Sequence, residues 1–412
     1  MTTLVLSPAY ASHYGPLAVH GGRLAADGER IVVATGAALR DRVAADGFEW
    51  RELVLGRGTN TGVIRPEDQE AEEERHLRAF FAATRRGAVP TLLLQAERRT
   101  DDLLWRPADV ARRLEEIVAE VRPDRIVSDH IALSATLALR ALGADWESFV
   151  PGHPSQLPVG DEVYGEPPYW PAAITPDDGD RALLRRACLR VTAAVTETFN
   201  AGLRAVSPSA APVDDPFRAH GGSVLYAYTE ALHPPWRTQA LPPGHRFLGP
   251  CVRDEKLPGD LADRVAAGSG PLVYVSLGTF LSERGDVLAT VAEGIRRLGA
   301  RAAIATGLTP PAHLGALPDD WIVAPHLPQV GLLRHAAATV THAGNNSAGE
   351  ALVAGVPMLA LPFSTDQFAV AADLEREGHG VCRDPNALTA PQVAEALESL
   401  VAAERTGLTA AT

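Results

Sequence analysis

The sequence has few of the features that mark a secreted, metal-binding or membrane-spanning protein. Its 412 residues include only three cysteines (Cys188, Cys251 and Cys382), which lie far apart and form no CxxC pair. That spacing excludes a disulfide framework and a cysteine zinc site. No apolar run approaches the ~18–20 residues of a membrane span, and no basic stretch precedes the apolar residues 1–8. We therefore expect a cytoplasmic protein without a signal peptide.

Positive charge is also scarce. Lys256 is the only lysine, and 38 basic residues stand against 51 acidic ones, which gives a net charge of −13. Bulk charge of this sign does not attract nucleic acid or anionic membranes. We expect neither as a partner. The apolar share of 46% is that of an ordinary globular protein, which excludes disorder of the whole chain.

Short β-branched segments alternate with helical patterns along most of the chain, which is typical of parallel α/β sheets. A stretch rich in proline and glycine, residues 241–259, interrupts the alternation and is the predicted linker. The pattern thus predicts two α/β domains, residues 1–240 and 260–412. A ligand is expected in the cleft between them, where the carboxyl ends of both sheets converge.

Three local predictions in the first half are specific enough to test. Pro90–Gln95 and Leu203–Ser207 are predicted strands, and the first helix is predicted over Pro16–Asp27.

The stretch His153–Asp178 is rich in proline, glycine and aromatic residues. It is predicted to be a long loop, and long loops in compact domains are more often functional than idle.

The strongest chemical signal is the segment Thr341–Glu350, THAGNNSAGE. A β-branched strand runs into a turn of small residues and then a helix, whose first amides lack partners within the helix and favour an anion such as phosphate. Gly344 allows close backbone approach, and His342 and Ser347 can donate hydrogen bonds to phosphate oxygens. Glu350 is placed to accept from a ribose hydroxyl. The same pattern also fits a turn whose polar residues merely cap the helix.

A second signal lies near the N-terminus. His13 follows the first predicted strand, in a loop that leads to a helix opened by Pro16. Imidazole is the side chain best suited to accept a proton from a hydroxyl near neutral pH. The alternative is an ordinary surface histidine.

A longer pattern surrounds the anion-binding turn. Its members are Pro328-Gln329, Leu333, His335, His342-Ala343-Gly344, Asn346-Ser347, Glu350, Gly355-Val356-Pro357, Pro362 and Asp366-Gln367. This pattern resembles the signature of the nucleotide-diphosphate-sugar glycosyltransferases, which include plant UDP-glycosyltransferases and bacterial macrolide and other natural-product glycosyltransferases. Three further segments match that family in the expected order: residues 7–16, Phe247–Pro250 and Ser276–Thr279.

The resemblance implies a GT-B fold, with two facing Rossmann-like domains. Residues 1–240 would bind the acceptor and residues 260–412 the nucleotide sugar. The positions that match the family's donor-binding residues are Thr279, Leu327, Gln329, His342, Gly344, Asn346, Ser347, Glu350, Asp366 and Gln367.

Each of these positions carries an implied role. The turn residues from His342 to Ser347 would hold the diphosphate, with Thr279 near the phosphates. Glu350 would bind the ribose, and Gln329 and the backbone of Leu327 would lie along the base. Asp366 and Gln367 would bind hydroxyls of the transferred hexose.

The resemblance also makes His13 the base and Asp129, at the end of the predicted strand Arg125–Ser128, the carboxylate that orients it. An aspartate beside the other ring nitrogen fixes the tautomer and stabilises imidazolium. From the residues alone, Asp129 could simply cap the helix that follows.

The implied reaction is a single displacement with inversion. A helix N-terminus with nearby donors can stabilise the departing diphosphate without a metal. The sequence offers no Asp-x-Asp pair in a suitable loop, and Asp177-Asp178 and Asp319-Asp320 lie in turns flanked by proline. We therefore expect no metal site and no cofactor, the nucleotide sugar being a substrate.

The acceptor is less well specified. Several aromatic side chains of the first half could line a pocket for a flat or hydrophobic molecule, or could serve only as packing. They are Tyr10, Tyr14, Trp105, His153, Tyr169 and Trp170. His326 stands where many relatives carry a tryptophan that stacks on the base, which leaves uracil and thymine both open. A sugar-nucleotide 2-epimerase or hydrolase and a non-catalytic partner of another transferase are the alternative functions.

Overall fold

The structure is a computed structural model, and it describes residues 1–58, 71–278 and 283–405. These residues form two compact units. The first unit comprises residues 1–58, 92–168 and 177–251, and the second comprises residues 71–91, 169–176, 252–278 and 283–405. The predicted linker is divided, since its residues up to Cys251 lie in the first unit and those from Val252 onward lie in the second.

The strands of the described residues are short and lie in two groups. Those of the first unit are β1 (Thr2–Leu6), β2 (Arg30–Thr35), β3 (Glu49–Glu52), β4 (Arg125–Asp129), β5 (Glu147–Val150), β6 (Ser223–Tyr226) and β7 (His245–Phe247). Those of the second are β8 (Leu272–Ser276), β9 (Arg301–Ala305), β10 (Ile322–Ala324), β11 (Ala338–Thr341), β12 (Met358–Ala360) and β13 (Gly380–Cys382).

Helices connect the strands. In chain order they are α1 (Ala11–Ala26), α2 (Arg40–Ala45), α3 (Ala71–Arg86), α4 (Ala88–Leu103), α5 (Pro107–Val121), α6 (Leu133–Leu142), α7 (Asp178–Val206), α8 (Pro235–Gln239), α9 (Gly259–Ala267), α10 (Gly285–Leu298), α11 (Gln329–Leu333), α12 (Asn345–Val353), α13 (Gln367–Arg376) and α14 (Ala390–Arg405). Within the described residues, no helix combines the length and the apolar character needed to cross a bilayer.

Each unit is built on one parallel sheet. The strand order is β3-β2-β1-β4-β5-β6-β7 in the first and β10-β9-β8-β11-β12-β13 in the second, and neighbouring strands of the described residues pair in parallel. The order turns back between β1 and β4 in one sheet and between β8 and β11 in the other. Ligands of doubly wound sheets bind at the carboxyl ends of the strands that flank such a point.

β1, an inner strand of the first sheet, is buried on both faces, as parallel sheets covered by helices require. Leu4 and Leu6 pack on one side in a cluster that includes Val32, while Val5 packs on the other side with Val33. All of these side chains are essentially inaccessible to solvent. Burial of each contributes about 1.5–3 kcal/mol to stability, so the carboxyl end of β1 is firmly held.

Two predicted strands are wrong. Pro90–Gln95 lies inside α4, and Leu203–Ser207 forms the last residues and C-cap of α7, because each apolar run continues the face of a long helix. A short apolar run cannot by itself distinguish a buried strand from a buried helix segment. Pro90 is tolerated because it lies in the first turn of its helix.

The start of the first helix also differs from its prediction. α1 begins at Ala11 rather than Pro16, so His13 lies in the first helical turn and not in a loop. The backbone N–H of Tyr14 donates to the carbonyl of Tyr10 at 2.9 Å, which begins the helix there.

The predicted long loop after β5 is held in place by arginines. Arg237 is fully buried, donates from Nε and Nη2 to the Glu162 carboxylate at 2.8 Å each, and donates to the carbonyls of Pro154 and Leu157. Arg218 donates to two further loop carbonyls. The segment Tyr169–Pro176 at the end of this loop belongs to the second unit.

Candidate functional site

The turning point of the first sheet brings His13 and Asp129 together. His13 Nδ1 lies 2.8 Å from Asp129 Oδ2, although the two residues are 116 positions apart in the chain. The carboxylate is fully buried, and its Oδ1 accepts the backbone N–H of Ile131 at 3.1 Å. Asp129 therefore both caps the turn and contacts the imidazole. With Nδ1–H donating to the carboxylate, Nε2 becomes the nitrogen that accepts a proton.

The position of His13 is fixed by its neighbour on α1. The Tyr14 side chain is fully buried in a core cluster, and its hydroxyl donates to Asp46 Oδ2 at 2.7 Å. This anchor holds the first turn of α1 against the sheet. Tyr14 was predicted to line an acceptor pocket, and the structure corrects this prediction because a side chain enclosed in the core presents no surface to a ligand.

The other residues of the predicted acceptor set lie in different surroundings. The Tyr10 ring is half-buried and packs edge-on against His13 with centroids 5.8 Å apart, which places it beside the candidate base. Trp105 is half-buried, and its carbonyl accepts the Ser134 hydroxyl. His153 is fully buried and its Nδ1 lies 2.8 Å from the Ser155 hydroxyl, so it is not available as lining.

Tyr169 and Trp170 do not belong to the first unit. The Trp170 ring packs on Phe368 with centroids 5.0 Å apart, and the Tyr169 ring lies 5.8 Å from the Arg376 guanidinium. Both contacts are made to α13 of the second unit. These two residues thus lie in the second unit rather than in the first, and their contact with an acceptor stays a prediction.

The turning point of the second sheet places His342 against two glycines. Gly278, just after β8, has φ +75°, and a Cβ there would lie 2.7 Å from His342 Cε1. A Cβ on Gly344 would lie 2.3 Å from Nε2 of the same ring. Neither position accepts a larger residue without displacing the imidazole. Ala343, with φ +60°, makes the turn that brings the ring between them.

The environment keeps His342 neutral. Burial lowers the pKa of its imidazole to about 4, against the opposing effects of the Asp366 carboxylate and the Ser276 backbone. At neutral pH the ring is therefore an uncharged group with one N–H donor and one acceptor nitrogen. Its one N–H is hydrogen-bonded to the Ser276 backbone, so the ring can donate to an anion only in place of that contact.

The N-terminus of α12 lies directly after His342. Gly344 is the N-cap and has no side chain that could accept from the first amides of the helix. The first turn, residues 345–347, is thus oriented as helix N-termini are when they hold phosphate. The alternative prediction, a turn capped by Asn346 or Ser347, is not what the structure shows, because both residues lie inside the helix.

Three predicted donor residues form one hydrogen-bonded network. The Gln329 Nε2 amide donates to Ser347 Oγ at 3.2 Å and to Glu350 Oε2 at 2.5 Å. The Tyr274 hydroxyl donates to Gln329 Oε1 at 3.2 Å, and Arg253 Nη1 donates to Glu350 Oε1 at 2.6 Å. A small recess lined by Tyr274, Gln329 and Ser347 lies among these groups.

Sequence reasoning missed the two outer members of this network. Tyr274 reads as an ordinary strand residue of β8, and Arg253 lies 97 residues before Glu350 in the proline-rich stretch. Burial raises the pKa of Glu350, and the charge of Arg253 and the hydrogen bond from Gln329 oppose that rise.

The remaining predicted donor residues have separate outcomes. Thr279 lies outside the described residues. Leu327 is half-buried in the connection from β10 to α11, and Asp366 is the half-buried N-cap of α13. Gln367 is only 8% exposed, and its Oε1 accepts from the backbone N–H groups of residues 363 and 364. Its carboxamide oxygen thus supports its own loop, and its Nε2 donates one N–H to Ser364 Oγ at 3.2 Å.

Comparison with known proteins finds a similar family. Residues 240–406 match the family model described as UDP-glucoronosyl and UDP-glucosyl transferase. This part of the chain is therefore similar to that glycosyltransferase family. The matched residues include the whole network around Glu350 and the turn around His342.

Two curated relatives illustrate the range of similarity. The uncharacterized UDP-glucosyltransferase YojK of Bacillus subtilis is 27% identical over 32% of this chain and 33% of its own length, so the alignment spans about a third of that relative. The demethyllactenocin mycarosyltransferase of Streptomyces fradiae is 24% identical over 96% of this chain and 78% of its own length.

Similarity to solved structures extends over the whole chain. Glycosyltransferase VinC, solved in complex with dTDP, has a TM-score of 0.66 at 17% identity and covers 100% of this chain and 93% of its own. This likeness concerns the fold, and together with the two parallel sheets it confirms the predicted GT-B class of two Rossmann-like units.

Proposed function

We propose that this protein transfers a hexose from a UDP- or dTDP-linked sugar to a hydroxyl of a small natural-product acceptor, with inversion and without a metal. The observation that carries the proposal is the turn at His342, where a neutral imidazole, two glycines packed against it and a helix N-terminus whose N-cap is Gly344 share one edge of the sheet. The relative named for mycarosyl transfer, which aligns over 96% of this chain, and the VinC complex with dTDP support this choice of substrates.

The first unit supplies the base. His13 Nε2 takes the proton of the acceptor hydroxyl as that oxygen attacks the anomeric carbon. Asp129, buried and 2.8 Å from Nδ1, stabilises the imidazolium that forms. Tyr10 beside His13 is the aromatic side chain best placed to contact the acceptor.

The second unit stabilises the leaving group. The bond from the anomeric carbon to the diphosphate oxygen breaks as the new bond forms, and the departing nucleoside diphosphate gains negative charge. The N-terminus of α12 and the N–H of His342 stabilise this charge by fixed dipoles rather than by a metal ion. Glu350 accepts from the ribose, and its buried network holds it in place.

The direct test is a matrix of UDP- and dTDP-sugars against an acceptor library, read by mass spectrometry with and without excess chelator. We expect a glycosylated product whose rate does not change in chelator. His13→Ala should lower the rate by roughly 10²–10⁴, the usual contribution of a positioned base. The control is His313→Ala, which removes an exposed histidine and should leave the rate unchanged.

Three outcomes would contradict the proposal. Turnover of the nucleotide sugar without any acceptor would assign the protein to the hydrolases or epimerases. Loss of activity in chelator would show that a metal is required. A His13→Ala variant with the wild-type rate would remove the base from the mechanism.

A further inference from the structure

The donor-site network extends into the segment that follows the first unit. Arg253, in this segment, donates from Nη1 to Glu350 Oε1 at 2.6 Å, while its Nε and Nη2 lie 3.3–3.4 Å from the Glu255 carboxylate. Glu255 in turn accepts the backbone N–H of Val330, in the first turn of α11, at 2.9 Å. Arg253 is therefore held from both sides, with one donor committed to Glu350.

The Glu350 carboxylate needs such a partner. Its side chain is only 5% exposed, and a buried carboxylate is costly unless it is paired and hydrogen-bonded. The charged or titratable groups that face it in the described structure are Arg253 and Glu255 from the segment after the first unit and Tyr274 from β8. Of these three, only Arg253 carries a positive charge.

The Glu350 carboxylate keeps unused hydrogen-bond acceptor capacity. Each Glu350 oxygen accepts one N–H, from Arg253 or from Gln329, and each carboxylate oxygen can accept twice. One acceptor position per oxygen therefore remains for hydroxyl groups. A protonated Glu350 would present an O–H instead and would lose part of that capacity.

We propose that Arg253 is a positioning residue for the donor, which keeps the Glu350 carboxylate ionised and fixed in the orientation that accepts the ribose hydroxyls. This inference rests on the proposed function, because it assigns Glu350 to the ribose. Arg253 acts on the nucleotide through Glu350. The hydrogen-bonded segment that carries Arg253 holds the guanidinium in place.

The test measures nucleotide binding rather than turnover. Calorimetric titration with UDP and with dTDP is performed on wild type, Arg253→Gln, Arg253→Lys and the control Arg334→Gln, between about pH 6 and pH 8. Arg334 is half-exposed and bonds to Asp254 and the Glu255 carbonyl in the same segment, but it does not contact Glu350. Inorganic pyrophosphate serves as a probe without a ribose.

Loss of the guanidinium charge should raise the pKa of Glu350 further, so Arg253→Gln should bind the preferred nucleotide roughly tenfold more weakly at the acid end of the range than at the alkaline end. Wild type and Arg334→Gln should show only the pH dependence that comes from protonation of the nucleotide's terminal phosphate, which all variants share. Arg253→Lys keeps the charge and should restore most of the affinity at low pH. Pyrophosphate affinity should be the same in all four proteins.

A double variant controls for indirect effects. The variant Glu350→Gln has no ionisable group at this position, so its affinity should show only the pH dependence that wild type shows, and Arg253→Gln added to it should cause no further loss. The inference alone is overturned if wild type binds nucleotide and Arg253→Gln matches it across the range, or if Arg253→Gln and Arg253→Lys both weaken pyrophosphate as much as nucleotide. If wild type binds neither nucleotide, the proposed function itself fails.

Discussion

At the scale of single residues, the feature that defines the second unit's site is an imidazole packed against glycine. His342 lies against Gly278 and Gly344, and its burial keeps it neutral. The sequence predicted that Gly344 allows close backbone approach. The structure adds that the same position must lack a Cβ because the ring occupies that space. Gly278 could not be assigned this role in advance, since it is 64 positions away and meets His342 only through the pairing of β8 with β11.

We expect Gly344→Ala to weaken nucleotide binding about tenfold or more, because a Cβ 2.3 Å from Nε2 must push the imidazole out of its position. Calorimetric titration with UDP and dTDP measures the effect. The matched control is Gly259→Ala, in the first turn of α9, where an added Cβ has nothing within 4 Å. Equal affinity in Gly344→Ala and wild type would show that the ring's position does not matter for the nucleotide.

At the scale of elements, the predictions were correct where the spacing of apolar residues and the residues that flank them indicated the same type of element. Around Thr341–Glu350 the predicted succession of β-branched strand, turn of small residues and helix is the observed succession of β11, the turn at His342 and α12. The same method missed β6 and β7, and β7 is a three-residue edge strand inside the stretch predicted to be a linker. Strands this short carry too few side chains to show an alternation.

The pairs that make the candidate sites were the least predictable part. His13 and Asp129 were paired through the family resemblance, since nothing local links residues 116 positions apart. Arg253 and Glu350 were not paired at all, because the motif around the helix N-terminus does not include the stretch before it. Such contacts follow from strand order, which alternating patterns alone do not specify.

At the scale of the whole molecule, buried histidines make stability depend on pH. Burial lowers the pKa of His130 to about 4, and burial likewise lowers that of His245 to about 4. The unfolded chain binds these protons near the ordinary value of about 6.5, whereas the folded chain does not. The unfolding free energy should therefore fall as the pH falls from about 6.5 to about 4, by up to ~1.4 kcal/mol per pH unit for the fully buried His130 and by less for the half-buried His245.

Urea denaturation of wild type and of His130→Gln between about pH 6.5 and about pH 4 tests this dependence of stability on pH. Glutamine keeps a donor for the Phe217 carbonyl, which His130 Nε2 now contacts at 2.9 Å, but it does not titrate. The stability of the variant should fall less steeply on acidification than that of wild type. His313→Gln, at an exposed position, should follow wild type. Parallel profiles for wild type and His130→Gln would contradict the assignment.

The central claim is that the second unit binds a nucleoside diphosphate at the turn between β11 and α12. Its most direct test is a crystal structure of the protein with bound UDP or dTDP. The account predicts that the diphosphate lies within hydrogen-bonding distance of the His342 ring and of the backbone amides at the start of α12, with the ribose on Glu350. A nucleotide bound at another place, with this turn unchanged and empty of phosphate, would contradict it.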